Sequence, residues 1–131
     1  MKIFELKSTA EVQQLETSLD NIMRPVGLDV EFTQHFIERL MGRDKMVSAD
    51  QIAGAFMKLK QKYKRKLLSA KKKADYTAVL KDFDSDLNVV FAIQPGPDGP
   101  ELVNITMMKK PVDQFRSTNF DSEDLKVGRP K

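Results

Sequence analysis

The spacing of the apolar residues changes once along the chain, and this change constrains the fold more than any other feature. Before residue 76 the apolar residues recur every three or four positions, as in Ile52, Phe56 and Leu59, which is the spacing of one buried helix face. From Tyr76 onward they alternate with other residues, which predicts strands. The sequence therefore predicts N-terminal helices followed by a sheet.

Capping signals indicate where these helices begin and end. Three positions carry side chains that can cap free backbone N–H groups: Ser8 with Glu11, Thr33, and Ser48 with Gln51. Helix ends are predicted at Pro25 with Gly27 and at Gly42. Short strands are predicted over MKIFEL (1–6) and LDVEFT (28–33).

Three longer strands are predicted over YTAVLKDF (76–83), LNVVFAI (87–93) and ELVNITMMKK (101–110). The connections DSD and PGPDGP are short and rich in turn residues, so the strands form an antiparallel meander. In the last strand, alternation puts Asn104, Thr106 and Met108 on one face and Val103, Ile105 and Met107 on the other. The predicted core contains Ile52, Phe56, Leu59, Val89, Phe91, Ile105 and Met107.

The predicted fold class is α+β, with N-terminal helices packed on a three- to four-stranded antiparallel β-meander. Residues 1–110 form a single α+β domain, because a chain of 131 residues is long enough to bury one core. Residues 111–131 contain few apolar anchors. They are predicted to form a C-terminal tail that packs on the domain or on a partner.

Positive charge is concentrated in KLKQKYKRKLLSAKKK (58–73), which holds nine of the 22 basic residues and no acid. The rest of the chain consequently carries a net charge of about −6. A basic segment on an otherwise acidic chain favours a polyanionic partner. The alternative is a solvated helix face that only keeps the protein in solution.

Composition excludes several kinds of site. The chain has no cysteine, which excludes disulfides, thiol nucleophiles and thiolate zinc sites. Its single histidine, His35, excludes a multi-histidine metal site, and we expect neither a metal nor another cofactor. No apolar run has the length of a signal peptide or a membrane span. We therefore expect a soluble, intracellular protein without a membrane partner.

Four blocks, taken in order, resemble a known family. They are HFIER (35–39), the basic helix that begins at Ser48, VLKDFDSDLNVVF (79–91) and ITMMKKPVDQFRSTN (105–119). Together they resemble a family of small tailed-bacteriophage proteins similar to the barnase/EndoU/colicin/RelE-type superfamily of ribonucleases and toxins. The resemblance covers about residues 33–119. Lys109 stands where the final strand of such proteins commonly ends in arginine, and lysine lacks the bidentate fork of an arginine.

The resemblance implies binding of RNA and, as a further activity, its cleavage without a metal. His35 would act as base or acid, because its ordinary pKa lies near neutrality. Arg39, one helical turn away, would clamp the phosphate. Lys81 and Lys109 would add positive charge. Thr106 or Asn88 would orient the ribose, and Asp82 is a second candidate for proton transfer.

Further contacts to nucleic acid are predicted from basic side chains on the helix and near the last strand. These are Lys58, Lys62, Lys64, Arg65, Lys66, Lys110 and Arg116. The resemblance would place the protein in the host cytoplasm, either free or associated with the virion.

Other interpretations of the same residues stay open. His35 could be a packed, hydrogen-bonded core residue, and Arg39 could pair with Glu38, Asp82 or Asp86. The whole protein could be a non-catalytic virion component or a factor that binds a host protein through its tail. A third alternative is DNA binding through the lysine-rich helix, which carries no recognised docking motif. A single cleft shared by His35, Arg39, Lys81 and Lys109 would favour the catalytic interpretation.

Overall fold

The computed structural model describes the backbone of residues 2–41, 48–72, 75–112 and 122–129, and the side chains of these ranges apart from 2–9 and 41. Within these residues the chain forms three α-helices and five strands. The helices are α1 (Lys2–Met23), α2 (Gln34–Met41) and α3 (Ala49–Ala70). The strands are β1 (Asp29–Phe32), β2 (Tyr76–Asp82), β3 (Leu87–Gly96), β4 (Gly99–Lys109) and β5 (Glu123–Val127).

The first helix begins earlier than the sequence predicts. Residues 2–7 lie inside α1, so the predicted strand over MKIFEL and the predicted helix start at Ser8 are wrong. A short apolar run fits a buried helix as well as a strand, and its spacing alone does not separate the two. The predicted end is confirmed, because α1 stops at Met23 and one 3₁₀ turn follows before Gly27, whose φ is +78°.

Thr33 and Ser48 cap their helices as predicted. The Thr33 hydroxyl accepts a hydrogen bond from the N–H of Phe36 (3.1 Å) and donates to the carbonyl of Ile105 (2.9 Å), which ties the start of α2 to β4. Ser48 and Gln51 form the predicted reciprocal capping box at the start of α3. The predicted end of α2 at Gly42 lies outside the described residues.

The sheet is larger than predicted and mixed rather than antiparallel. Its strand order is β1-β4-β3-β2-β5. The predicted meander of β2, β3 and β4 is confirmed, but β1 pairs parallel with β4 and β5 pairs parallel with β2. Both added strands are short and pair with distant segments, so no local turn signal predicts their partners in the sheet. The tail segment 123–127 thereby supplies one edge of the sheet.

All three helices pack on one face of the sheet. The main core joins side chains of α1, α2 and α3 to Leu80, Leu87 and Phe91 of the sheet. The rings of Phe56 and Phe91 lie 6.4 Å apart, and both are fully buried. Of the predicted core residues, Ile105 alone is only partly buried, and it packs in a small second cluster with Val79, Val90 and Met108.

A β-bulge explains the position of Ile105 and corrects the predicted alternation in β4. Val90 lies opposite Thr106, but the next residue, Phe91, lies opposite Asn104, so Ile105 is the extra residue of the bulge. The bulge changes the phase of the strand by one position. Asn104 therefore shares a face with Met107 rather than with Thr106, and it is fully buried there.

Helix side chains cap both edge strands of the sheet. On β1, the carboxylate of Asp20 accepts a hydrogen bond from the N–H of Val30 at 2.7 Å. On β5, the Tyr63 hydroxyl donates to the carbonyl of Lys126 (3.0 Å) and accepts from its N–H (3.1 Å). Tyr63 departs from helical geometry, with φ −120° and ψ 24°. These contacts occupy backbone groups that an edge strand otherwise offers to another chain.

We predict that Phe56→Ala lowers the free energy of unfolding by about 3–5 kcal/mol, because it leaves a cavity beside Phe91. Met57→Ala is the matched control on the next residue of α3, since the Met57 side chain is 40% exposed. It should cost less than about 1 kcal/mol. Urea denaturation measures both values. Equal losses for the two variants would contradict this account of the core.

Candidate nucleic-acid interface

The basic residues of α3 fall into rows that follow from helical spacing, in which residues four apart lie one above the other. The β5-side row is Lys58, Lys62 and Lys66. The outer row is Met57, Gln61, Arg65 and Ser69, all exposed. The far row, on the side of the outer row away from β5, is Lys60, Lys64 and Leu68. Lys72 follows in the turn just past the end of α3.

The lysines of the β5-side row form contacts within the protein. The ammonium group of Lys58 lies 2.7 Å from Asp82 and 2.9 Å from Asp84. Lys62 donates to the carbonyl of Lys126 at 2.9 Å, and Lys66 forms an ion pair with Glu123 at 2.6 Å. Three predicted nucleic-acid contacts thus join α3 to the end of β2 and to β5.

Asp82 lies at the centre of the contacts between α3 and the end of β2. Its side chain is only 2% exposed, and besides Lys58 it accepts hydrogen bonds from the N–H of Asp84 (3.1 Å) and the hydroxyl of Ser85 (2.8 Å). Asp84 also accepts from the N–H of Arg129 at 3.2 Å. Because these partners occupy the Asp82 carboxylate and burial keeps it from solvent, its role is structural. This arrangement does not favour proton transfer by Asp82.

The pKa values of this cluster shift as expected for ion pairs. Burial of the Lys58 ammonium acts to lower its pKa, but its hydrogen bonds to Asp82 and Asp84 outweigh this effect, and the pKa is raised. The hydrogen bond from Lys58, followed by the one from the Arg129 N–H, lowers the pKa of Asp84. Lys58 and Asp84 are therefore both charged across the neutral range.

The outer and far rows keep their positive charge. Lys64, Arg65 and Lys72 are exposed, Lys60 is partly exposed, and none of them forms an ion pair with an acid among the described residues. The sequence from 51 to 74 contains no acid at all. Lys71 donates to the carbonyl of Val26 at 2.7 Å, which orients its ammonium group without neutralising it. Lys64 and Arg65 are thus the predicted contacts best placed for a polyanion.

His35 is exposed on α2, so the interpretation of it as a packed core residue is wrong. Arg39 lies one turn further along the same helix and is partly exposed. The helix is held against the sheet by Phe36, which is fully buried and packs 4.8 Å from the ring of Phe32. This places α2 on the helix-covered face.

The strand residues of the predicted catalytic set lie on two faces of the sheet. Lys109 is directly opposite Leu87, so it shares the helix-covered face with α2, and its ammonium lies 3.5 Å from the Gln51 amide oxygen. Lys81 is opposite Asn88, and Thr106 is opposite Val90, which puts both on the other face. A single cleft that holds Lys81 and Lys109 together is therefore not formed.

Lys81 and Asn88 occupy buried structural positions. Lys81 is 6% exposed and lies 3.2 Å from the carboxylate of Asp124. The Asn88 amide group donates to the carbonyls of Met108 (3.1 Å) and Lys110 (2.9 Å), which closes the end of the β3–β4 pair. The Lys110 side chain is partly exposed. Arg116 lies outside the described residues.

Two groups of acids in the described part of the chain are not evident from sequence patterns. Asp82, Asp84, Glu123 and Asp124 are partners of lysines, as described above. A second group surrounds β1, where burial, followed by repulsion from Glu101, Asp20 and Asp29, raises the pKa of Glu31. Burial, followed by repulsion from Glu31 and Asp20, likewise raises the pKa of Glu16. The surface around β1 is thus acidic, whereas the exposed part of α3 is basic.

No protein-family model, curated protein or solved structure matches this chain. Within the described ranges, no group of three or more histidine, cysteine, aspartate or glutamate side chains could hold a metal ion. None of the helices in the described part of the chain is long and apolar enough to cross a membrane.

We predict that Lys58→Met lowers the free energy of unfolding by about 3 kcal/mol, because it leaves the buried carboxylate of Asp82 without its ion pair. Lys64→Met is the control, as an exposed lysine of the same helix, and should change stability by no more than about 0.5 kcal/mol. Urea denaturation at neutral pH separates the two. A cost for Lys58→Met as small as that of the control would contradict the role given to this pair.

The neighbouring ion pair of Lys58 with Asp84 has a defined pH dependence. The pKa of Asp84 is lowered, so its stabilising effect is present above the ordinary value of 3.8 and is lost as the pH falls through the lowered value. The pKa of Lys58 is raised, so its effect is present below 10.5 and is lost as the pH rises through the raised value. The difference between wild type and Lys58→Met should therefore stay constant between about pH 5 and pH 9.

Proposed function

We propose that the protein binds nucleic acid, RNA in particular, through the outer and far rows of α3. The observation that carries the proposal is the cluster of Lys60, Lys64, Arg65 and Lys72. Lys60, Lys64 and Arg65 leave positive charge on one surface of α3, and Lys72 adds a charge just past the end of the helix. None of the four has an acidic partner among the described residues. Phosphates bound there would release condensed counterions, which is the main source of sequence-independent affinity for nucleic acid.

The internal ion pairs support this proposal over a solvated helix face. The acids near α3 form ion pairs with the β5-side row: Lys58 pairs with Asp82 and Asp84, and Lys66 pairs with Glu123. Acids that would neutralise the exposed rows are missing from residues 51–74, while a separate acidic group surrounds Glu31. Such a separation of charge orients an approaching polyanion toward α3.

The choice of RNA rests on the resemblance to small bacteriophage proteins with a ribonuclease-toxin-like fold. Phosphate contacts alone bind RNA and DNA alike, because both carry the same charged group. The bacteriophage origin and a location in the host cytoplasm or the virion belong to the same proposal.

We predict that Lys64→Gln weakens binding of a labelled RNA and makes the dependence of log K on log salt shallower by about 0.7–0.9, the value for one lost phosphate contact. The matched control is Lys126→Gln, which removes one exposed charge from β5. Its salt dependence should stay close to that of the wild type. Fluorescence anisotropy at several salt concentrations measures both. Equal effects of the two variants would show that RNA affinity depends on the net charge of the protein and not on the position of Lys64.

Cleavage of RNA is a second candidate function, favoured by the exposure of His35. An exposed imidazole with an arginine one turn away can approach a bound phosphate and transfer a proton to or from it. Lys109 lies on the same face of the sheet as α2 and would supply further positive charge, whereas Lys81 and Thr106 lie on the opposite face. The reduced set for this activity is therefore His35, Arg39 and Lys109.

We predict that purified wild type cleaves labelled single-stranded RNA in EDTA and that His35→Ala lowers the rate by at least about 100-fold with binding unchanged. Gln34→Ala changes the neighbouring exposed residue and should retain the wild-type rate. Binding without cleavage by the wild type would remove the catalytic candidate and leave the binding proposal. If wild type neither binds nor cleaves, both candidates fail, and a virion component or a host-protein-binding factor becomes the better account.

A further inference from the structure

The outer row of α3 differs in chemistry from the rows beside it. Gln61, Arg65 and Ser69 lie at successive positions four residues apart, and all three are exposed. Each can form directed hydrogen bonds: the amide and the hydroxyl both donate and accept, and the guanidinium offers five donors. Lysines flank this row on both sides. A ligand that fits α3 therefore presents hydrogen-bonding groups along its middle and anionic groups on either side.

The contacts of α3 with the rest of the protein limit how deeply this helix can enter a groove of a ligand. On one side it is tied to β5 by Lys62, Tyr63 and Lys66. Elsewhere along its length it packs against α1, and its inner surface is buried in the core through Ile52, Phe56 and Leu59. Only the outer surface of the helix is accessible. A helix held in this way can lie across a shallow groove, but its neighbours would collide with the walls of a deep one.

Nucleic-acid grooves differ in this respect. The major groove of B-form DNA is read by a helix that enters it, and the minor groove of B-form DNA is narrow. A-form RNA has a deep, narrow major groove and a wide, shallow minor groove in which the 2′-hydroxyls are displayed. We propose that α3 lies across the minor groove of double-stranded RNA, an inference that rests on the proposed function of nucleic-acid binding.

In this arrangement each row of α3 has a separate role. Gln61 and Ser69 form hydrogen bonds with 2′-hydroxyls, which donate and accept as these side chains do. Lys64 of the far row contacts phosphates of one strand that borders the groove. Lys62 is exposed, and its hydrogen bond to the Lys126 carbonyl does not neutralise its charge, so it can also contact phosphates of the other strand. Arg65, between them, binds the edge of the groove with its planar fork.

The composition of the outer row also favours paired over unpaired RNA. Proteins that bind single strands usually stack the bases on aromatic side chains. The outer row has no aromatic residue, and the aromatic residue of α3 nearest to it, Tyr63, uses its hydroxyl on the backbone of Lys126. Single-stranded RNA would therefore gain phosphate contacts from α3 without base stacking.

The test compares three labelled ligands of one sequence: a duplex RNA of about 16 base pairs, enough to present two successive minor grooves, the equivalent duplex DNA, and the single-stranded RNA. Affinities of wild type, Gln61→Ala and Lys64→Gln are measured by anisotropy at fixed salt and across a salt series. Gln14→Ala is the control, because it removes an exposed glutamine from α1. Circular dichroism confirms that each variant is folded.

We expect wild type to bind duplex RNA more tightly than duplex DNA, by about fivefold for each net hydrogen bond to a 2′-hydroxyl. Gln61→Ala should reduce this ratio toward one without changing the salt dependence, because the residue is uncharged. Lys64→Gln should weaken binding of both duplexes and make the salt dependence shallower. Gln14→Ala should behave like wild type.

Four results would overturn the inference. Equal affinity of wild type for the two duplexes, or an unchanged ratio in Gln61→Ala, would show that α3 contacts phosphates only, and the proposed function would survive. Tighter binding of single-stranded RNA than of duplex RNA would also reject the contact between α3 and the minor groove, and the proposed function would again survive. No binding of any ligand at low salt would reject the proposed function together with the inference.

Discussion

The ion pair between Lys58 and the buried carboxylate of Asp82 is the interaction on which the rest of the described structure depends. It joins the middle of α3 to the end of a central strand, 24 positions further along the chain. Around it, Asp84 binds the backbone of Arg129, and Lys62 and Lys66 bind β5. Because Asp82 is buried, its charge requires a partner in the interior. This requirement sets how α3 is rotated about its axis, and the rotation decides which lysines reach the surface.

The local elements of the fold could be predicted from the sequence, whereas their long-range partners could not. The caps at Thr33 and Ser48 and the three strands of the meander depend on residues a few positions apart. Strands β1 and β5 pair with segments that are distant in the chain, and their short patterns predict no partner. The bulge at Ile105 arises from packing between strands, so simple alternation assigned Asn104 to the wrong face. Sequence patterns describe what a segment prefers, and tertiary contacts decide what it pairs with.

The candidate site divides in the same way. The sequence predicts a basic helix at 58–73, but it does not separate lysines that hold the fold from lysines that face outward. That separation depends on Glu123, which lies 57 positions after Lys66. Similarly, Lys81 and Lys109 are both strand lysines in the sequence, and only the register places them on opposite faces. The sequence likewise leaves His35 open between a catalytic group and a packed core residue, and its exposure depends on how α2 lies on the sheet.

The capped edges of the sheet have a consequence for molecules that gather on a long polymer. A protein that binds phosphates without regard to sequence occupies many neighbouring positions on one nucleic acid, so its copies meet at high local concentration. Under such crowding, an open strand would recruit the strand of the next copy and turn a reversible coat into an aggregate. Asp20 and Tyr63 occupy backbone groups through which that pairing would begin. These two contacts would then raise the solubility of the assembled complex without changing the affinity of one molecule for the nucleic acid.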